Sequence, residues 1–226
     1  MFSSKEMLSF DNRWNIPDEY ENRYQSCDIT IDIVGVCLDF ANYVVPTTVD
    51  NYSERNQTNK LSIARQAFFG KIGEFGAATI LRKHGTPTTA PDINIYEDKK
   101  KGWECDLKTK KGSKVAVKSW STTHSKIEDM SWVFQKSNKD GHGGKDKEIY
   151  NTDNKIFVCF MIVDFPNNVV QMVSILKSKT LISGKYFQDP KVEKLKGIKD
   201  VVYYRDNGKV LPCVDDDLRG HFFDKD

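Results

Sequence analysis

The sequence lacks the marks of a disulfide-bonded, zinc-binding or membrane-spanning protein. Its five cysteines, at positions 27, 37, 105, 159 and 213, form no CxxC pair. An odd, scattered set of cysteines argues against a disulfide framework or a zinc site and favours a reducing compartment. No apolar run approaches the roughly 20 residues that a membrane-spanning helix needs. Residues 1–26 resemble no signal peptide, so we expect a cytoplasmic protein with no membrane partner.

A strong net charge is also missing, as are internal repeats and low-complexity tracts. The chain has 34 basic and 32 acidic residues, for a net charge of +2. Such a balance does not exclude a polyanionic partner, because the local distribution of charge matters more than its sum. Basic residues concentrate in Lys99–Lys101, Lys108–Lys114 and Lys136–Lys147, whereas three consecutive acids stand at Asp215–Asp217. This asymmetry favours a polyanion bound to one face.

The length and composition suit one folded domain. The 226 residues include 38% hydrophobic and 12% aromatic side chains, enough for a core. We divide the domain into an N-terminal arm and helix, residues 1–60, and a core with C-terminal strands, residues 61–226. The length of the apolar stretch Asp28–Val45 favours a helix, which Pro46 is expected to end.

The clearest predicted helix runs from Leu61 to His84. Gly70, Gly73 and Gly76 weaken it as an isolated helix by about 1 kcal/mol each relative to alanine. Glycines at every third position also form a flat ridge, which lets a helix approach a sheet or a ligand closely. Glu74 lies within this ridge. A solvent-exposed glutamate is the simpler interpretation, but the bracketing glycines make Glu74 a candidate functional carboxylate.

The rest of the pattern predicts strands. The expected strands and hairpins are Ile93–Ile95 after Pro91 and Asp92, a hairpin of Trp103–Leu107 and Val115–Ser119, Ser131–Gln135 as a strand or short helix, a long buried strand over Lys155–Phe165 with its hairpin partner Val169–Leu176, and Asp200–Tyr204. Together with the helices they predict an α/β fold.

The hairpin around residues 103–119 carries the most chemistry. Alternate residues of a strand share a face, so Ala116 and Lys118 lie on the same side. Asp106 stands on the neighbouring strand. A lysine that faces a carboxylate is typical of phosphodiester-cleaving sites, where the acid holds a divalent metal and the lysine steadies water or phosphate. The alternative is a solvated hairpin without a catalytic role.

These motifs resemble a known family. The succession of Gly73-Glu74, Pro91-Asp92, Asp106 and the strand VAVKSW ending at Trp120 is similar to the core of the PD-(D/E)xK nuclease superfamily. The resemblance implies a restriction-endonuclease-like α/β fold, with a central mixed β-sheet flanked by helices. It also implies a Mg²⁺-dependent DNA endonuclease, either a restriction enzyme or a phage nuclease, that acts on double-stranded DNA as a homodimer.

Position by position, the resemblance makes Asp106 the first metal ligand and Lys118 the motif lysine. It makes Glu74 the helical carboxylate, and Asp92 is a further candidate ligand. The sequence departs from the pattern two residues before the lysine, where Ala116 replaces a metal-binding acid. Three explanations stay open: an engineered replacement of the acid, a carboxylate supplied by Glu74 or Asp92, or a DNA-binding module that has lost catalysis.

Gln135 is a further candidate, because the superfamily often has a polar residue after the motif lysine that orients water or phosphate. The alternative is an incidental glutamine on a buried strand. The remaining candidates for DNA contact lie in the hairpin, directly after it, or in the glycine-rich segment Lys136–Lys147. They are Lys108, Lys110, Lys111, Lys114, Ser119, Trp120, His124, Lys136, Lys139, His142 and Lys145. A solvated surface loop accounts for the glycine-rich segment equally well.

Overall fold

The structure is a computed structural model that describes residues 1, 25–53, 58–96, 105–123, 130–137, 146–151, 156–206 and 209–212. Its strands are β1 Gln25–Asp28, β2 Leu107–Lys108, β3 Lys114–Ser121, β4 Ser131–Gln135, β5 Ile156–Asp164, β6 Val169–Lys177, β7 Lys199–Tyr203, β8 Arg205–Asp206 and β9 Lys209–Val210. Its α-helices are α1 Ile31–Ser53, α2 Lys60–Lys83 and α3 Ser178–Ser183, and short 3-10 helices cover Lys147–Tyr150, Phe165–Asn167 and Glu193–Leu195.

A five-stranded mixed sheet forms the centre of the fold, in the order β1-β6-β5-β3-β2. Strands β3 and β5 run parallel, and the other neighbouring pairs are antiparallel. Every residue of β5 is buried, as expected for a strand covered on both faces. The long central strand and its hairpin with β6 are therefore confirmed, and so is the predicted α/β fold with a central mixed sheet flanked by helices.

One face of the sheet is covered by α2, with α1 packed along it. The predicted close approach of the glycine ridge is confirmed at Gly73 and Gly76, but not at Gly70. A Cβ atom added to Gly73 would stand 1.9 Å from Ser119 Oγ on β3, and one added to Gly76 would stand 2.5 Å from Val170 Cγ1 on β6. Only glycine lets the helix backbone lie this close to the sheet.

The opposite face is covered by a two-stranded sheet of β4 and β7, by α3 and by the 3-10 helix Lys147–Tyr150. Trp132 packs edge-on against Phe160 with ring centroids 4.9 Å apart, and its indole N–H donates to the Met161 carbonyl oxygen at 3.2 Å. Ser131–Gln135 is thus a strand rather than a helix, and it pairs with β7 instead of joining the central sheet.

The prediction for Asp28–Val45 was wrong at both ends. Asp28 belongs to β1, which pairs with β6, and the helix begins only at Ile31. It then continues through Pro46 to Ser53. Pro46 is exposed, so its ring lies on the outer side of α1. No helix in the described ranges is both long and apolar enough to cross a membrane.

Two predicted strands also need correction. The first strand of the hairpin is Leu107–Lys108, so Asp106 precedes the strand, while Trp103 lies outside the described residues. Residues 93–95 form no strand. The Asp92 carboxylate accepts hydrogen bonds from the Asn94 backbone and amide groups and from the Tyr96 hydroxyl. Such local bonds from an aspartate favour a turn over an extended strand.

Candidate active site

Asp106 is fixed against the edge of β3. Strand β2 covers β3 only at Lys114 and Val115, and the Asp106 carboxylate takes the next backbone donor on that edge. Its Oδ2 atom accepts a hydrogen bond from the Val117 N–H at 2.7 Å. Because Val117 directly precedes Lys118, this bond holds the carboxylate at the point of β3 from which the motif lysine departs. The sequence-predicted acid therefore lies against the β3 backbone one residue before Lys118, whereas the lysine ammonium itself pairs with another carboxylate.

Lys118 lies on the face of β3 that packs against the small sheet. Its Nζ atom donates to Asp146 Oδ1 at 2.7 Å and stands 4.7 Å from the centroid of the Phe134 ring. The two charged side chains are 18% and 7% exposed. Attraction between opposite charges is stronger at a site with so little solvent access than it is in water, because the effective dielectric constant is lower. The lysine is thus oriented, and part of its surface remains accessible.

Asp146 did not emerge from the sequence, although it is the direct partner of the motif lysine. Its Oδ2 atom accepts from the Gln135 N–H at 2.7 Å, and its own N–H donates to the Gln135 carbonyl oxygen at 3.0 Å. The residue stands in the glycine-rich, highly charged segment Lys136–Lys147, where it looks like any solvated acid. Its 28-residue separation from Lys118 left no spacing signal.

Gln135 has a different position from the one expected for a catalytic side chain. Its side-chain amide donates to the carbonyl oxygen of Ser137, and its backbone holds Asp146. The residue is buried. In this arrangement Gln135 contributes through its main chain, as the anchor of the carboxylate that contacts Lys118.

Ala116 faces the same side as Lys118, as predicted from the strand alternation. It is 3% exposed and belongs to the apolar cluster beneath the small sheet. A carboxylate introduced there would enter an apolar environment, where an unpaired charge is strongly unfavourable. Ala116 is therefore well placed as a packing residue.

Glu74 lies on the other side of the sheet. Its Oε2 atom pairs with Lys71 Nζ at 2.6 Å, and Lys71 stands 4.9 Å from the centroid of the Phe40 ring on α1. The carboxylate faces α1, where it also acts on the Cys37 thiol. Burial, followed by the charge of Glu74, raises the pKa of Cys37 to about 12. The structure thus separates Glu74 from Lys118.

Asp92 is held by its own loop through Asn94 and Tyr96. The structure consequently does not assemble Asp106, Glu74 and Asp92 into one cluster. Among the residues that are described, no three His, Cys, Asp or Glu side chains lie close enough together to form a metal-binding group.

Apart from Lys136, the candidate DNA contacts fall into three groups. Lys108, Lys110 and Lys111 are exposed in the hairpin, and Lys114 is half-buried beside them. Ser119 faces Gly73 of α2, and Trp120 is buried in the apolar cluster beneath the small sheet, so both occupy interior positions. The four remaining candidates outside the described residues are His124, Lys139, His142 and Lys145.

Lys136 borders the site from the end of β4. Its ammonium lies 3.6 Å from Asp200 Oδ2, with the lysine side chain 53% exposed. The Tyr150 hydroxyl lies nearby, and its pKa is raised by burial and by the charges of Asp200 and Asp146. A second lysine–aspartate pair therefore lies beside that of Lys118, but in a far more solvated position.

Comparisons with protein-family models, curated proteins and solved structures found no match for this chain.

Proposed function

We propose that this chain is a Mg²⁺-dependent DNA endonuclease. The observation that carries the proposal is the 2.7 Å hydrogen bond from the Val117 N–H to Asp106 Oδ2, because it fixes a carboxylate on the β3 backbone at the residue that precedes Lys118. The sequence resemblance predicts an aspartate on one strand of a mixed α/β sheet and a lysine on the neighbouring strand; Asp106 directly precedes β2, and Lys118 lies on β3. The basic hairpin lies on the adjoining edge of the same sheet.

Asp106 suits Mg²⁺ as a ligand. Mg²⁺ prefers hard oxygen donors and usually takes one or two carboxylates, with water and substrate phosphate completing its shell. Asp106 would hold the ion through its carboxylate. Glu74 and Asp92 are left out of the proposed ligand set, since their carboxylates face Lys71 and the Asn94–Tyr96 turn respectively. When bound, Mg²⁺ would act as a Lewis acid on the phosphodiester.

In this proposal Lys118 stabilises negative charge that develops on the phosphate. A preorganised cation in a water-poor site is effective at this task because it needs no reorientation during the reaction. Its limited exposure and its position between Asp146 and Phe134 provide that preorganisation. The exposed lysines at positions 108, 110 and 111 would neutralise the DNA backbone.

The test is cleavage of plasmid DNA with Mg²⁺ by the unchanged chain and by Asp106→Asn and Lys118→Met. Loss of one charge-stabilising group typically lowers the rate by about 10²–10³-fold, and we expect a loss of that size for Lys118→Met. Lys179→Met, which removes an exposed lysine from α3, is the matched control and should cut normally. Absence of Mg²⁺- or Mn²⁺-dependent cleavage by the unchanged chain, or full activity of Asp106→Asn, would overturn the proposal.

The second candidate function is a DNA-binding module without catalysis. The buried alanine at the position of the motif acid favours it. In this case the chain should bind duplex DNA without cutting it, with an affinity that falls as salt rises. Replacing Lys108, Lys110 and Lys111 by alanine should reduce the slope of log affinity against log salt by about one for each lysine that contacts a phosphate.

Two further parts of the proposal concern assembly and location. Cleavage of both strands of a duplex calls for two sites, which a homodimer with twofold symmetry supplies. Analytical ultracentrifugation with and without DNA tests this.

The cysteines of the described residues, Cys27, Cys37, Cys105 and Cys159, are free thiols, which is consistent with a reducing, cytoplasmic location.

A further inference from the structure

The partner of Lys118 reveals a role for a residue that the motifs did not include. Strand β3 has no carboxylate at Ala116, yet a carboxylate from a distant segment contacts Lys118 on that same face. We propose that Asp146 is the positioning residue for Lys118. This inference rests on the proposed nuclease function and adds to it the group that orients the motif lysine.

Asp146 is built to hold its position. It is bonded to Gln135 twice, through its carboxylate at 2.7 Å and its N–H at 3.0 Å. It also begins the 3-10 helix Lys147–Tyr150, whose Ile149 N–H donates to the Asp146 carbonyl oxygen at 2.9 Å. These bonds fix the carboxylate relative to β4 before it contacts the lysine.

Lys118 needs such a partner because a lysine side chain has a long, flexible stem. Its ammonium has three donor positions, and one is directed to Asp146 Oδ1 at 2.7 Å. The two others are compatible with a phosphate or a water molecule. A fixed carboxylate thus sets the direction of the ammonium without using up its capacity to donate.

Other charged groups border this pair. Asp106 lies at the adjoining edge of β3, bonded to Val117. On the side of the small sheet, Asp200 pairs with Lys136 and, together with Asp146, acts on Tyr150. Asp200 therefore serves a different lysine, which makes it a matched control for Asp146.

The first experiment is a double-mutant cycle on Mg²⁺-dependent cleavage with Asp146→Asn, Lys118→Met and the combination. Loss of a partner that orients a functional group typically costs about 10–100-fold. We expect Asp146→Asn to lower kcat by that factor with little change in KM. The double variant should cut no more slowly than Lys118→Met, because Asp146 acts through the lysine. Additive losses, or an unchanged kcat in Asp146→Asn, would overturn the inference.

Two variants guard the experiment against effects on folding. Asp200→Asn should leave kcat unchanged, since it removes a buried carboxylate beside a different lysine. Asp146→Glu keeps the charge and should cut faster than Asp146→Asn. If Asp146→Asn does not fold, the cycle is run with Asp146→Glu and Lys118→Met, and an additive outcome again contradicts the inference.

The second experiment does not depend on cleavage. In ¹⁵N NMR spectra of the lysine side chains, an ammonium group held by a carboxylate exchanges its protons slowly and gives a resolved signal. The signal missing from Lys118→Met identifies Lys118. It should vanish in Asp146→Asn and persist in Asp200→Asn.

The two experiments separate the failure of the inference from that of the function. If the Lys118 ammonium signal is unaltered in Asp146→Asn and DNA cleavage is intact, the positioning role of Asp146 is contradicted, whereas the proposed nuclease function is not. A vanished signal in a chain that never cuts DNA would overturn the nuclease and leave the pair as a structural link between β3 and β4.

Discussion

Two buried ion pairs lie on opposite faces of the central sheet. Lys71 and Glu74 are 2.6 Å apart, three residues from each other on α2, with side chains 8% and 11% exposed. Lys118 and Asp146 are 2.7 Å apart, but they come from segments separated by 28 residues, with side chains 18% and 7% exposed. The distances are nearly equal, and the surroundings differ.

The difference teaches that burial of a charge does not by itself mark an active site. Both members of the α2 pair come from one helix, and Lys71 faces Phe40 of α1. The β3 pair links two parts of the fold, lies one residue along β3 from the backbone group that binds Asp106, and leaves the lysine the more exposed partner. A substrate can therefore reach the second lysine more readily than the first. The following predictions test this contrast, beginning with the largest expected effect.

Glu74→Gln should be the most destabilising of these changes. It leaves the Lys71 ammonium buried without its counter-charge, and breaking a buried pair in this way costs about 3–5 kcal/mol. Urea denaturation of Glu74→Gln against the unchanged chain measures the loss. The double variant Lys71→Met/Glu74→Leu, which removes both charges, should recover much of the stability. If the proposed nuclease function holds, DNA cleavage at a temperature where Glu74→Gln is folded should be normal, and a selective loss of cleavage would assign Glu74 to the proposed active site.

Compared with Glu74→Gln, Asp146→Asn should lower the stability of the fold less and lower DNA cleavage more. Because Lys118 is more exposed than Lys71, water can solvate it once the carboxylate is gone. The expected cost in the free energy of unfolding is therefore smaller, about 1–3 kcal/mol, the usual range for an impaired buried hydrogen bond. The loss of cleavage should be larger than for Glu74→Gln. A variant that is destabilised as strongly as Glu74→Gln yet fully active would contradict the contrast.

The close approach of α2 to the sheet predicts opposite outcomes for two glycines of the same helix. A Cβ atom at Gly76 would lie 2.5 Å from Val170 Cγ1, whereas one at Gly70 would meet nothing within 4 Å. Gly76→Ala should destabilise the fold by about 1–3 kcal/mol through overpacking. Gly70→Ala should stabilise it by up to about 1 kcal/mol through its helix propensity. Thermal unfolding of the two variants measures both changes in stability. If the two changes had the same sign, Gly76 would not be in contact with the sheet.

The elements that could be predicted from the sequence are those with a strong local signal. The buried strand β5, its hairpin partner β6 and the glycine-bearing helix α2 each show their character within one continuous stretch of the sequence. The start of α1 could not be located in this way, because β1 owes its conformation to pairing with β6. Tertiary pairing of this kind overrides local preference.

The residues of the candidate site also differ in whether a local sequence pattern predicts their position. Asp106 directly precedes β2, which pairs with β3, so the contact of Asp106 with the β3 backbone beside Lys118 follows from short-range pairing. Asp146 reaches Lys118 only because β4 leaves the central sheet and pairs with β7, a choice that no local pattern reveals. Glu74 illustrates the converse error: its bracketing glycines predicted a close approach correctly, but the glycines contact the sheet while Glu74 points to α1.

The smallest expected effect is the dependence of stability on pH that arises from the Cys37 thiol beside the α2 pair. Burial, followed by the Glu74 charge, raises the pKa of Cys37 from 9.0 to about 12, while Lys71 lowers it. In the unfolded chain the thiol ionises near 9.0, so above that pH the unfolded state binds fewer protons and stability falls as pH rises toward 12. Each pH unit in this window costs about 1.4 kcal/mol. Urea denaturation at pH 8 and pH 10 should therefore show a steeper loss of stability in the unchanged chain than in Cys37→Ala. Equal losses would mean that the thiol does not experience the buried environment beside Glu74.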